Sequence, residues 1–196
     1  RQKIAYVKLG DDDNTHYVRM LKRYAQVDVI EVDKLDGAMA LLKPYNLVIV
    51  GFHKSSAHPW KGYKFADKDL VWLQEIARVK KVILDVFASP YSLLQIKTFT
   101  NIEGVLVSYQ NSETAQELSA QMIFGALSTK GKLPVSIKEN FAEGDGINSN
   151  ELRRLGYSIP EDVGMSRYKL QRIDSMLNTV VVEKMAPGVQ VLVARK

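Results

Sequence analysis

The feature that most constrains the fold is the run Tyr45-Asn-Leu-Val-Ile-Val-Gly-Phe52, whose centre is four consecutive aliphatic residues. It is too short for a buried helix and rich in β-branched side chains, so it reads as a strand. Apolar and polar residues do not alternate along it. Neither face expects water, which is the signature of a mostly parallel sheet covered by helices on both sides.

The rest of the chain up to about residue 140 can be organised around this strand. Residues 3–9 (KIAYVKL) form a first strand, followed by the polar turn Gly10-Asp-Asp-Asp-Asn14. Tyr17, Val18, Leu21 and Tyr24 repeat at helical spacing, with Asp13 or Asn14 placed to cap the helix. Residues 27–32 make a second strand. Asp33 can cap a short helix carrying Leu35, Ala38, Leu41 and Leu42, which Pro44 stops before the central strand. After the longest interruption, 53–66, a helix carries Leu70, Leu73, Ile76 and Ala77, and residues 82–87 form the fourth strand. Ser89-Pro90 opens another helix. Residues 104–109 (GVLVSY) form the fifth strand, a helix from Asn111 or Ser112 follows, and residues 133–137 can add a sixth strand at an edge.

Strand-then-helix units joined by short links imply right-handed crossovers. The expected fold is therefore α/β: a doubly wound, mostly parallel sheet of five to six strands with helices on both faces. A C-terminal extension with one helix and one strand follows it. In the common strand order 2-1-3-4-5, the loops after the first and central strands meet where the winding reverses, and ligands of open sheets bind there. These loops are GDDDN and HKSSAHPWKGYKFA.

From 138 to 165 glycines at 144, 146, 156 and 164 and Pro160 break up the apolar pattern, so a linker or surface wrap is expected. Residues 166–184 then read as an amphipathic helix, and Val189, Val191 and Val193 alternate as a final strand. One helix and one strand cannot bury their own apolar faces, so they read as the opening of a second domain. The expected organisation is a domain over 1–140, a linker over 141–165 and a truncated second domain over 166–196.

The formal net charge is +5, but the cations are scattered along the chain, unlike the concentrated stripe of a nucleic-acid binder. No nucleic-acid partner and no membrane span are expected. The chain has no cysteine, which excludes disulfides and thiolate chemistry.

Candidate chemistry centres on the loop after the central strand. His53 and His58 lie there among Lys54, Ser55, Ser56 and Trp60. A loop histidine beside serines suits acid/base work, although no acidic partner stands at a fixed spacing to orient it, and local hydrogen bonding explains it equally. Trp60 to Phe65 interleaves aromatics with cations, which suits stacking on a sugar face or a base, or packing on another domain. The substrate-binding candidates are His53, Lys54, His58, Trp60 and Tyr63. No catalytic residue, metal ligand or cofactor is assigned. Asp11, Asp12 and Asp13 can ligate a hard cation or form an exposed acidic turn at a helix start.

Two motif look-alikes fail. Five residues lie between Gly125 and Gly131 where a phosphate-binding loop has four, and Leu133 replaces its Ser or Thr. Ser166-Arg-Tyr-Lys169 matches S-x-x-K, but no S-D-N or K-T-G follows, and a helix N-cap is the better role for Ser166.

The stretches KIAYVKLG, YNLVIVGF, ILDVFASPYSL and 101–137, with Ser89-Pro90-Tyr91 and Gly131-Lys-Leu-Pro-Val135 the most specific, resemble the C-terminal α/β-sandwich domain of family 3 glycoside hydrolases, nearest the β-N-acetylglucosaminidase branch. The segments LGYSIPEDVGMSRYKLQRID and MAPGVQVLVARK resemble the start of β-lactamase-related serine hydrolase domains. The resemblance implies an accessory, non-catalytic domain of an enzyme that cleaves β-linked N-acetylhexosamine in cell-wall or other glycans. Its implied partners are an N-terminal barrel domain of the same polypeptide, the parent's glycan substrate and a downstream serine hydrolase domain. A bacterial parent, periplasmic or secreted, is implied. The alternatives are a glycan-binding module using the 53–66 loop and a free-standing hydrolase using His53 or His58.

Overall fold

In the computed structural model, residues 3–55, 57–58, 62–138, 140–150 and 154–195 are described. The chain divides into two compact units, Arg1–Arg154 and Leu155–Lys196.

The first unit is built on five parallel strands: β1 (Ile4–Gly10), β2 (Val27–Ile30), β3 (Leu47–His53), β4 (Lys81–Phe87) and β5 (Ile102–Val107). Their order is β2-β1-β3-β4-β5, the doubly wound arrangement expected. The aliphatic run of β3 lies at the centre, pairing Ile49 with Tyr6 on one side and Ile83 on the other. Every β3 residue from Val48 to His53 is buried.

Among the described residues, four α-helices of this unit divide between the two faces. Helix α1 (Thr15–Tyr24) turns Tyr17, Met20 and Leu21 inward, the i, i+3, i+4 spacing of one helical face. With α4 (Glu113–Ile123) it covers the face formed by Ile4, Tyr6, Ile49 and Phe87. Ala5, Val7, Val48, Val50, Leu84 and Val86 point the other way, where α2 (Leu35–Leu42) contributes Leu42 and α3 (Asp67–Val79) contributes Leu73 and Ile76. Alternate β3 side chains thus enter different cores. A central strand buried on both faces is the physical reason for its uninterrupted apolar sequence.

Several local expectations are corrected. Asp33 does not cap α2, whose N-cap is Lys34. The helix expected from Ser89-Pro90 is a 3₁₀ helix, Pro90–Gln95, followed at once by extended Ile96. Residues 133–137 do not join the sheet as a sixth strand. Leu133 instead exchanges backbone hydrogen bonds with Gly144 and Asp145, and Pro134 has no N–H to offer a ladder. This wrap packs Leu133, Val135, Ile137 and Phe141 on the α3 side of the sheet.

In the second unit, α5 (Arg167–Val182) starts as expected at Ser166, whose hydroxyl accepts the Lys169 N–H at 3.3 Å. No residue of α5 is buried within it. Residues 189–195 do not form the expected strand, because a strand exists only through a partner's backbone and none is present among the described residues.

Candidate functional site

The loops at the carboxyl ends of β1, β3 and β5 meet over a buried polar network that begins at His53. The last residue of β3 is wholly buried, its ring stacked on Phe87 at 4.4 Å and edge-on to Tyr17. Its Nδ1 lies 2.8 Å from Asn111 Oδ1, and its Nε2 lies 2.9 Å from the Tyr6 hydroxyl.

The proton arrangement follows from the neighbours. Asn111 Nδ2 donates to Asp12 Oδ2 at 2.9 Å and to the Asp13 carbonyl at 2.7 Å, so Oδ1 must face the histidine. Gln116 Nε2 donates to the same Oδ1. His53 Nδ1 therefore carries the proton, and Nε2 accepts from the Tyr6 hydroxyl, whose oxygen accepts from Asn14 Nδ2 at 3.0 Å. Burial holds His53 well below its ordinary value, down to about 4, against the raising effect of the Asn111 hydrogen bond. Burial likewise pushes the Tyr6 phenol far up. The ring is neutral at pH 7, and both its nitrogens are committed.

Two glycines make room for this arrangement. At Gly51 a Cβ would lie 2.5 Å from His53 Nε2 and 2.8 Å from the Tyr6 hydroxyl oxygen. At Gly10, with φ of +83°, it would lie 2.2 Å from the His53 carbonyl oxygen. That carbonyl accepts the Asp11 and Asp12 N–H groups, tying the acidic turn to the end of β3.

A second buried group lies on the same face. Asp85, in the middle of β4, is wholly buried and accepts hydrogen bonds from Ser108 Oγ at 2.8 Å and from Ser119 Oγ. Burial raises its carboxyl to about 6, against these hydroxyls, which favour the carboxylate. Tyr17, also buried, is raised by burial and by the nearby Asp85 charge.

The other residues singled out in the sequence are placed apart from this network. Lys54 pairs with Asp11 at 2.8 Å. His58 is exposed, and Tyr63 is 38% exposed. Trp60 lies outside the described residues, as does Lys61. His53 is the exception in kind: the site expected to offer it to a substrate instead buries it. The acidic turn is internally engaged too, with Asp12 on Asn111 and Asp13 on the N–H and hydroxyl of Thr15. Among the described residues no cluster of His, Asp or Glu is spaced to hold a metal ion.

Sequence reasoning missed Tyr6, Asp85, Ser108, Asn111, Gln116 and Ser119. One signal was available: Asp85 interrupts the apolar run Val82-Ile-Leu-Asp-Val-Phe87, and a carboxylate in a doubly covered strand requires hydroxyl or amide partners.

Fold and site together define a doubly wound parallel α/β domain whose carboxyl edge is held by a polar network in which His53, Asn111, Gln116 and Asp85 are hydrogen-bonded within the domain. No family model matches the chain, and no curated protein matches it. Among solved structures it is similar to beta-glucoside phosphorylase BglX, with 14% identity and a TM-score of 0.49. That likeness covers 71% of this chain and 27% of the phosphorylase, so the chain spans about a quarter of that protein's length. It is also similar to the Mn(2+)-bound form of response regulator Rcp1, with 12% identity and a TM-score of 0.41, over 61% of this chain and 91% of the regulator.

Proposed function

We propose that the first unit is an accessory, non-catalytic domain of a glycoside hydrolase acting on β-linked N-acetylhexosamine, with its catalytic groups on another domain of the same polypeptide. The observation that carries this reading is the sealing of the carboxyl edge. His53 and Asp85 have the titration ranges of acid/base groups, yet both are fully buried and hydrogen-bonded within the domain. A general acid or base must come within hydrogen-bond reach of its substrate, and neither does. The glycosidase assignment itself draws on the resemblance of Ser89-Pro90-Tyr91 and Gly131-Lys-Leu-Pro-Val135 to family 3 enzymes. In this reading the second unit is the opening of a β-lactamase-related serine hydrolase domain that follows in the parent polypeptide, a reading supported by the resemblance of 155–174 and 185–196 alone. The full chain, assayed on a chromogenic N-acetylglucosaminide, is expected to show no turnover. Activity that persists through repurification would overturn the proposal.

A glycan-binding role for the 53–66 loop has one observation in its favour. Phe65 stacks on Phe52 at 3.6 Å, and Gln95 grips both its N–H and its carbonyl, which anchors the end of the loop while Tyr63 stays exposed. A free-standing hydrolase using His53 would require the ring to leave its pocket and break bonds at both nitrogens.

A further inference from the structure

The buried network flanks one exposed aromatic residue held in a conformation that aromatic residues avoid. Tyr109, two residues past the end of β5, has φ of +63°. The turn around it is closed by the Gln110 N–H donating to the Ser108 carbonyl at 2.7 Å, an i to i+2 bond. A three-residue turn with positive φ at its centre is rare and strained, and glycine is the residue that relieves it.

The strain persists because both neighbours are anchored. Ser108 donates its N–H to the Val86 carbonyl at 2.8 Å and its hydroxyl to Asp85. On the other side, the Asn111 side chain joins His53, Gln116, Asp12 and the Asp13 carbonyl. Two sets of hydrogen bonds thus fix Ser108 and Asn111, which bracket Tyr109 and Gln110, and the Tyr109 side chain is left 43% exposed beside exposed Gln110. The position is the carboxyl edge of the sheet, tied through Asn111 to the β1 turn at the winding reversal, where ligands of open α/β sheets bind. Backbone strain held by surrounding structure is a pointer to function.

We propose that Tyr109 is a carbohydrate-contacting residue, a platform on which the apolar face of a β-linked N-acetylhexosamine ring packs. The ligand class rests on the glycosidase reading above, and the surroundings agree with it. The Asn111 amide is fully engaged within the domain, so the polar groups beside the ring are Gln110 and, on the turn that Asn111 holds, the mostly exposed Asp11 paired with Lys54. A half-exposed ring beside hydrogen-bonding groups matches a neutral sugar, with C–H groups on the ring and hydroxyls toward amide and carboxylate. An apolar protein partner would want an apolar surround.

The test is titration of the full chain with the β-1,4-linked trimer of N-acetylglucosamine, followed by ¹H–¹⁵N correlation spectra, with thermal melts of each variant. Saturable shifts at the amides of 108–111 are expected up to millimolar trimer. Tyr109→Phe keeps the affinity, because the ring and not the hydroxyl provides the platform. Tyr109→Ala weakens it about three- to tenfold. Tyr109→Gly weakens it as much, yet melts about 2–4 °C above Tyr109→Ala, because glycine releases the strain that alanine retains. No shift in the parent, shifts confined to other residues, an affinity unchanged in Tyr109→Ala, or a glycine variant no more stable than the alanine variant would each overturn the proposal. Steep weakening by salt, the mark of a cationic ligand's site, would overturn it too. None of these results bears on the turnover assay, so the two readings fail separately.

Discussion

His53 and Asp85 titrate in opposite senses on one face of the sheet, and replacing one should expose the other. His53 has an ordinary value of 6.5 and is held at about 4 in the fold. The unfolded chain therefore binds the extra proton between those values, and the stability tied to neutral His53 is lost as pH falls from 6.5 to 4. Asp85 runs the other way, raised from 3.8 to about 6. Its contribution is fully present below 3.8 and is lost as pH rises through 6. At about 1.4 kcal/mol per unit, each swing is on the order of 3 kcal/mol. Between about pH 4 and 6 the two slopes nearly cancel.

Asp85→Asn removes one slope. The variant's unfolding free energy, relative to the parent, should climb by about 1.4 kcal/mol per pH unit between pH 4 and 6. His53→Gln should show the reverse gradient. Urea unfolding at half-unit steps from pH 4 to 7 reads both differences, and other titrating groups drop out because they are common to the pair compared. Parallel curves for parent and Asp85→Asn across this window would refute the reasoning. Two variants with slopes of the same sign would do so equally.

Two further outcomes are expected. Gly51→Ala drives a Cβ into His53 Nε2 and the Tyr6 hydroxyl and should cost about 2–4 kcal/mol in urea unfolding; parental stability would show that the pair can shift aside. The amides of 189–195, which have no backbone partner among the described residues, should exchange within minutes while those of β3 stay protected. Protection in the tail of a proven monomer would contradict that.

What the sequence by itself determined was the frame. The unbroken aliphatic run of β3, helical spacing in Tyr17 and Leu21, Pro44 before the strand and Ser112 before α4 are local signals, and each is set by residues a few positions apart. Strand order followed from them because parallel crossovers allow few topologies. The tail showed the limit of that logic. Val189, Val191 and Val193 alternate as a strand should, but alternation names a face and not a partner, and among the described residues the segment pairs with no strand.

Only the tertiary structure decided what the polar residues do. His53 sits at the mouth of the longest loop in the sequence, where it reads as exposed. It is buried because Tyr6, 47 positions earlier, and Asn111, 58 positions later, supply partners for its two nitrogens, and because Gly51 leaves space for the ring. Asp85 is tolerated in the middle of β4 because Ser108 and Ser119 arrive from the following strand end and helix. A buried polar group is stable only when distant parts of the chain complete its hydrogen bonds, and which parts those are is settled by the packing of the sheet and its helices.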